Sequence, residues 1–261
     1  MTTAMEQRAR LVVRCARVFG LDPRCVFENL GALPAFARGL LQFKRQNTLA
    51  TFRPKLRHMY PILNERNQPA GAIGHYFCQD LWAARKIFER RPERHLDIGS
   101  RIDGFVAHLL VFMPVTFVDL RPLEQPIDGL SFIHDDATTL GRFSDESVES
   151  ISSLHAAEHF GLGRYGDAVD STACFRFMRS LGRVLKPGGR LYFSVPVGRE
   201  RVEFNAHRVF EIRTILNTFS VLRLVSFSLV GDNGRLEEDI DPDHAPSSDF
   251  ACGLFEFTKP I

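Results

Sequence analysis

The sequence predicts an α/β fold: an open, seven-stranded, mostly parallel sheet with helices on both faces, an antiparallel last strand and a small N-terminal helical extension. Three observations predict it. From residue 94 onward, short apolar runs alternate with segments of helical period. Several of the runs are apolar at consecutive positions, as strands buried on both faces must be. The last two runs are joined only by the polar segment GDNGRLEEDIDPDHAPSSD, too polar to cross over as a covering helix. They are therefore read as an antiparallel pair at the sheet edge.

The elements follow in order. Residues 5–19 and 34–46 space apolar residues helically between arginines, and Gly20, Pro23, Gly31 and Pro34 punctuate them. A loop rich in Pro, Asn and Arg runs to about residue 72. HYFCQDLWAARKIFERRPE then reads as an amphipathic helix closed by Pro92. Strands are expected at 95–99, 115–120, 130–135, 148–154, 190–197, 222–230 and 253–258, and helices at about 103–112, 168–185 and 208–219. No internal repeat is present. The chain divides into a basic helical extension, residues 1–72, and one α/β domain, residues 73–261.

Composition narrows the function classes. With 44% hydrophobic and 25% charged residues, the 261-residue chain can bury a full core. The net charge of +2 gives no whole-chain argument for nucleic acid, and none is expected as a partner. The charge is uneven, however: residues 1–60 hold eleven Lys and Arg against three Asp and Glu, about +8. Such an arm suits an anionic surface, and a peripheral contact with the inner face of a membrane is one expectation. The five cysteines have no CxxC pairing, which argues against a zinc site and a disulfide framework and favours a reducing, cytoplasmic setting. No apolar run reaches membrane-spanning length.

In an open α/β sheet, ligands sit beyond the carboxyl ends of the strands, so the loops there are the candidate site. The first, HLDIGSRIDG, turns through Gly99 and Ser100, where glycine lets backbone approach a ligand. The second strand ends in Asp119, 22 residues after Asp97, near the spacing at which such folds hold ribose hydroxyls. The third ends in Asp135-Asp136-Ala137. The fourth opens SLHAAEHFGLGRYGD, which concentrates His155, Glu158, His159, Arg164, Tyr165 and Asp167. Histidine suits a general base near neutrality, a carboxylate orients it, and Arg164 suits an anionic group. Glu203, Phe204, Asn205, His207 and Arg208 follow the fifth strand and reach the same rim; Asn205 and His207 equally suit a helix start. His75, Tyr76, Gln79, Asp80 and Trp82 lie on the helix before the first strand, where they cap a cofactor or simply pack. His155 and His159 are four apart, but the order HAAEH and the glycines at 161 and 163 speak against a zinc helix, and no metal is expected.

These loops together resemble the class I methyltransferases, whose sheet is Rossmann-like and whose cofactor is S-adenosylmethionine. Asp97-x-Gly99 is similar to their first motif, Asp119 to the ribose-binding acid, and Asp136-Ala137 to the pair beside the adenine. LGRVLKPGGRLYFSVP, residues 181–196, is similar to the helix–turn–strand after their active site, and is the most specific of these signals. GHYFCQDLWAARKIFE, DIGSRIDGFVAHLL and SLHAAEHFGLGRYGD resemble a bacterial methyltransferase-like family labelled a domain of unknown function, whose members are associated with surface-polysaccharide biosynthesis. The resemblance covers residues 94–258. It implies cofactor contacts at Asp97, Gly99, Ser100, Arg101, Gly104, Asp119, Leu120, Asp136 and Ala137, and catalysis at His155, His159 and Glu158. Arg164, Tyr165, Asp167, Asn205, His207 and Arg208 are then the acceptor-binding set. The implied activity is methyl transfer to a hydroxyl of a sugar, glycan or other polar acceptor. The chain departs from the family's Asp-x-Gly-x-Gly-x-Gly loop: Arg101 and Asp103 occupy glycine positions, and Gly104 falls one residue late. Arg101 is a candidate partner for the cofactor's carboxylate. The altered loop keeps a non-catalytic binding role open, whereas the missing GxGxxG and the KPGG turn weigh against a nicotinamide enzyme.

Overall fold

The computed structural model describes residues 12, 13, 15–63, 65, 68, 71 and 73–261. It falls into two compact units, residues 1–72 and 73–261.

In the first unit, residues 12, 13 and 15–18 are helical, and the rest of the helix expected over 5–19 lies outside the described residues. Helix α1 spans Pro23–Gln46, longer than the expected 34–46. Asp22 caps it by accepting from the Arg24 amide, and Pro23 stands in the first turn, where a missing N–H costs nothing. With its start fixed there, the helix passes through Pro34 instead of beginning at it. Two short 3₁₀ turns, Ala50–Phe52 and Leu56–His58, follow.

The second unit opens with α2, His75–Arg90, which ends on Arg91 in the left-handed region. The strands are β1 His95–Ile98, β2 Val115–Asp119, β3 Leu130–His134, β4 Val148–Leu154, β5 Leu185–Val197, β6 Arg201–Glu203, β7 His207–Val209, β8 Arg223–Val230, β9 Leu236–Glu237 and β10 Ala251–Thr258. Helices α3 Ala107–Leu110, α4 Ala173–Val184 and α5 Ile212–Thr218 lie among them. Eight strands form one sheet in the order β3-β2-β1-β4-β5-β10-β8-β9. Pairing is parallel from β3 to β5, and β10 runs antiparallel to both β5 and β8. The fold class is as expected, with the two-residue β9 making the eighth strand.

The expected antiparallel pair at the sheet edge is β8 and β10: β10, buried at every position, lies between β5 and β8, and only the two-residue β9 lies beyond the pair. Two local readings are corrected. KPGG is not a turn outside the strand but its bulged start, where the register with β4 shifts between Val148 and Ser150. The helix expected over 208–219 shortens to α5, because residues 201–203 and 207–209 pair as a hairpin instead. Val202 and Val209 alternate there with charged neighbours, a period-two pattern that the apolar run downstream obscures.

The sheet buries two apolar layers. Along β5, Leu191, Phe193 and Val195 belong to one cluster with α4 and α5, while Tyr192 belongs to another with Trp82, Phe105 and Leu109. This alternation places the layers on opposite faces. The order reverses at β1, between β2 and β4, and that reversal opens a crevice at the strands' carboxyl ends.

Candidate functional site

The crevice is a cavity of about 910 Å³ lined by the loops that leave β1, β2, β3 and β4. Its floor is the turn after β1. Gly99 has φ +70°, and a Cβ there would come within 3.1 Å of the Ala156 Cβ, so only glycine keeps the turn tight. Asp97 is fully buried beneath this turn and does not line the cavity. Its Oδ1 accepts the Ser100 amide at 3.1 Å, and its Oδ2 accepts the Ser100 hydroxyl at 2.7 Å and the Ser152 hydroxyl at 2.5 Å. Ser100 Oγ in turn accepts the Leu154 amide at 3.0 Å. Asp97 therefore stitches the turn to β4, and burial pushes its carboxyl up to about 7 against those three donors. The structure corrects its reading as a direct contact to that of an anchor.

The altered glycine loop has a structural counterpart. Residues Ile102–Val106 form a π-turn, which takes one more residue than an α-turn. The late glycine, Gly104, falls inside it and outside the cavity lining: its Cβ would meet Asp80 Oδ2 at 2.5 Å, so it is a packing glycine against α2. Arg101 and Asp103 pair with each other at 2.8 Å, their side chains 52% and 75% exposed, so the bulk at these positions turns to the rim. The Arg101 guanidinium also covers Tyr76 at 5.1 Å.

Along the β2 and β3 edges, Asp119, Leu120, Asp135, Asp136 and Ala137 all line the cavity. Asp119 is engaged by Arg121, which donates from Nε at 3.0 Å, from Nη2 at 2.6 Å and from its amide at 2.8 Å. Sequence reasoning missed Arg121; an arginine two residues beyond the strand-end acid was the available signal. Asp136 Oδ1 accepts from the Thr138 amide and hydroxyl.

The opposite wall carries His155 and His159. His155 adopts φ +50°, a conformation non-glycine residues hold only when their surroundings impose it. Its amide donates to Ser194 O at 3.0 Å and Ser194 Oγ at 3.1 Å, and its Nδ1 lies 2.6 Å from Gln79 Oε1. Burial pulls its pKa down to about 3 and that of His159 down to about 4, so both rings are neutral at pH 7. His159 Nδ1 lies 2.7 Å from Ala206 O, which can only accept, so that nitrogen carries the proton. Glu158 is 1% exposed and outside the cavity lining; its Oε2 has no hydrogen-bond partner, and burial pushes its carboxyl up to about 8. Glu158 is thus a neutral acid 3.8 Å from His159 Nε2, not the carboxylate expected to orient a base.

The acceptor set divides. Tyr165 and Asp167 line the cavity. Asp167 spends its oxygens on the amides of Gly161, Gly163 and Tyr165, so it shapes the loop rather than offering itself to a ligand. Arg121 and Arg164 both stack on Tyr165, at 4.8 and 5.1 Å, and Arg164 also donates to Ala206 O. Arg208 is 7% exposed and ties the loop down through the carbonyls of Glu158 and Phe160. Its position on β7, where burial selects the inward face, makes it structural. Asn205 sits in the exposed hairpin turn, and His207 packs on Phe250 with Nε2 3.8 Å from Glu203; neither lines the cavity. On α2, Tyr76 lines the cavity whereas Trp82 is core. Gln79 and Ser194, buried behind His155, are the partners that the sequence did not single out for it.

A family model described as "Caenorhabditis protein of unknown function, DUF268" matches residues 130–230, from β3 to β8. That stretch leaves out the first two strands and their loops. Its description names Caenorhabditis where the sequence resemblance named a bacterial family, and it does not mention polysaccharides. No curated protein matches the sequence. Among solved structures, the [4+2]-cyclase SpnF aligns with TM-score 0.50 at 15% identity over 70% of this chain and 82% of its own. A candidate sarcosine dimethylglycine methyltransferase from Galdieria sulphuraria aligns with TM-score 0.50 at 12% identity over 70% of this chain and 86% of its own. At these identities the likeness establishes the fold. The chemistries named for the two proteins differ, so the fold alone does not select one.

Proposed function

We propose that the chain is an S-adenosylmethionine-dependent methyltransferase acting on a hydroxyl of a polar acceptor, with sugars and glycans as the acceptor class. One observation carries this reading. A single cavity brings together Gly99–Ser100 after β1, Asp119–Leu120 after β2 and Asp136–Ala137 after β3, facing His155 and His159 after β4. Its volume is of the size that holds a nucleoside-sized ligand together with an acceptor. The tight Gly99 turn, with Arg101 and Asp103 directed to the rim, leaves room where the cofactor's chain would run. The sugar and glycan class rests on the sequence resemblance alone.

In this reading Gly99, Ser100 and Leu120 bound the site, while Asp119 and Asp136 accept hydrogen bonds from ribose and adenine. When bound, the sulfonium supplies an electrophilic methyl carbon. The chain's own residues align the acceptor and take the proton that its hydroxyl must lose. His155 and His159, held neutral by burial, retain the lone pair that task requires. Tyr165, flanked by Arg121 and Arg164, steers the acceptor. Residues 73–261 are the catalytic domain, and the basic extension, residues 1–72, contacts an anionic surface such as the inner face of a membrane.

A second reading, a non-catalytic binder, is favoured by one feature: Arg121 occupies both oxygens of the proposed ribose acid. Parallel calorimetric titration with S-adenosylmethionine, S-adenosylhomocysteine and NAD tests the first reading at its base. Saturable binding of the first two without NAD is expected; no binding of either overturns it. Binding without methyl transfer to any screened sugar or lipid-linked glycan would select the second.

A further inference from the structure

We infer that Gln79 is a positioning residue for His155: its amide oxygen fixes the imidazole as the Nδ1–H tautomer, so that Nε2 is the nitrogen presented to the acceptor's proton. The purpose of this arrangement rests on the methyltransferase reading, but its geometry does not.

The hydrogen-bond network behind His155 begins at Asp80. Gln79 is 1% exposed on α2, and its Nε2 donates to Asp80 Oδ1 at 3.1 Å. Rotating the amide by half a turn would set its oxygen against the carboxylate, acceptor against acceptor, so the Asp80 contact fixes which end of the amide faces His155. The oxygen that then faces inward receives the Ser194 hydroxyl at 2.7 Å and His155 Nδ1 at 2.6 Å. An amide oxygen can only accept, so Nδ1 must carry the proton. Ser194, having spent its own proton on Gln79, accepts the His155 amide at 3.1 Å. The same serine and its carbonyl thus hold the backbone of His155 at φ +50°. No described residue hydrogen-bonds His155 Nε2, and His155 lines the cavity. Ser194 Oγ at 3.3 Å and Cys252 Sγ at 3.8 Å also approach Nδ1, but the Gln79 oxygen at 2.6 Å is its shortest contact, and a proton directed there leaves a lone pair on the other nitrogen. His159 reaches the same tautomer through a backbone carbonyl, which no side-chain substitution removes. His155 depends on a side chain, and this makes the inference testable.

The test is long-range ¹H–¹⁵N correlation of the histidine rings in the full-length protein at pH 7, with His155→Gln used to assign its signal. A single Nδ1–H tautomer for His155 is expected; an Nε2–H tautomer or a protonated ring overturns the inference. Gln79→Met, similar in length but without an acceptor, is expected to populate the Nε2–H form, and Gln79→Glu to restore Nδ1–H while raising the ring's pKa. If Gln79→Met folds and keeps Nδ1–H alone, the inference fails. Where an acceptor is found, Gln79→Met should lower turnover by about tenfold or more with cofactor Kd unchanged. Gln79→Glu should recover part of that loss and move the acid limb of the pH profile upward. These spectra need no ligand. Should S-adenosylmethionine fail to bind while the tautomer behaves as expected, the methyltransferase reading falls and the role of Gln79 stands.

Discussion

Asp119 is the residue on which the cofactor reading most directly depends, and it comes with a competitor already in place. Ribose hydroxyls can reach its carboxylate only by sharing it with Arg121 or displacing it. If they do so, Asp119→Ala should weaken S-adenosylmethionine binding by about 1.5–3 kcal/mol, the range for hydrogen bonds to charged groups. Unchanged affinity by calorimetry would show that Arg121, not the ligand, is this carboxylate's partner in both states. At the base, replacing the responsible histidine, His155 or His159, with Ala should cost about 10²–10⁴ in turnover and leave cofactor affinity nearly constant. Parent rates in both single variants and in the double variant would move the base elsewhere. Most legible in the sequence was placement at a strand end: Gly99, Ser100, Asp119, Leu120, Asp136 and Ala137 all reach the cavity. Less legible were polar residues whose atoms the fold consumes internally. Asp97, Asp167 and Arg208 looked like ligand contacts, but their partners are backbone amides, hydroxyls and carbonyls distant or turned in ways spacing does not reveal.

At the scale of elements, period and punctuation located β1, β2, β3 and β4 to within a residue. They failed where one element borrows its ends from another. The short hairpin β6–β7 has a period-two pattern that the apolar run downstream obscures, so its residues were read as the start of a helix. The π-turn after β1 is an intermediate case: the late glycine was visible, but its partner Asp80 on α2 was not. Gly104→Ala tests this packing. A Cβ 2.5 Å from Asp80 Oδ2 forces α2 or the turn to shift, with an expected loss of about 1–3 kcal/mol in denaturant unfolding. A neutral result would mean that the Asp80 side chain simply swings aside. In α1, Val26, Leu30, Leu33 and Leu41 recur at helical spacing and are exposed, with Lys44 and Arg45 in the last turn. This apolar stripe beside basic charge suits the surface of an anionic bilayer. Full-length protein should co-sediment with acidic vesicles at low salt, less so as salt rises, and a chain beginning at Ala70 should not. Equal sedimentation of both would remove the extension from that role. No described helix is long and apolar enough to cross a membrane.

For the molecule as a whole, the ionisable groups buried around the cavity set a pH window for stability. His95 and His155 are drawn down to about 3 and His159 to about 4 by burial. Below pH 6.5 the unfolded chain binds protons that the native rings refuse, so these groups make stability rise with pH from about 3 to 6.5 and contribute no slope above it. Glu158, raised to about 8, has the opposite sign. Below its ordinary value near 4.5 both states hold the proton; from there to about 8 only the native state holds it. Stability therefore falls as pH rises through that window. Asp97, raised to about 7, adds to the fall over the lower part of the window. The two trends oppose each other below 6.5, and above it only the carboxyl trend remains. Melting temperature should accordingly drop by several degrees between pH 6.5 and 8. Glu158→Gln keeps the shape of the neutral acid but has no proton to lose. It should therefore flatten much of that drop while changing stability little near pH 5. A variant that melts in parallel with the parent across the whole range would mean that Glu158 is ionised in the native protein. Its Oε1, 3.8 Å from His159 Nε2, would then draw a proton onto that nitrogen while Nδ1 already carries one, so His159 would be a cation without a lone pair and His155 the base that remains.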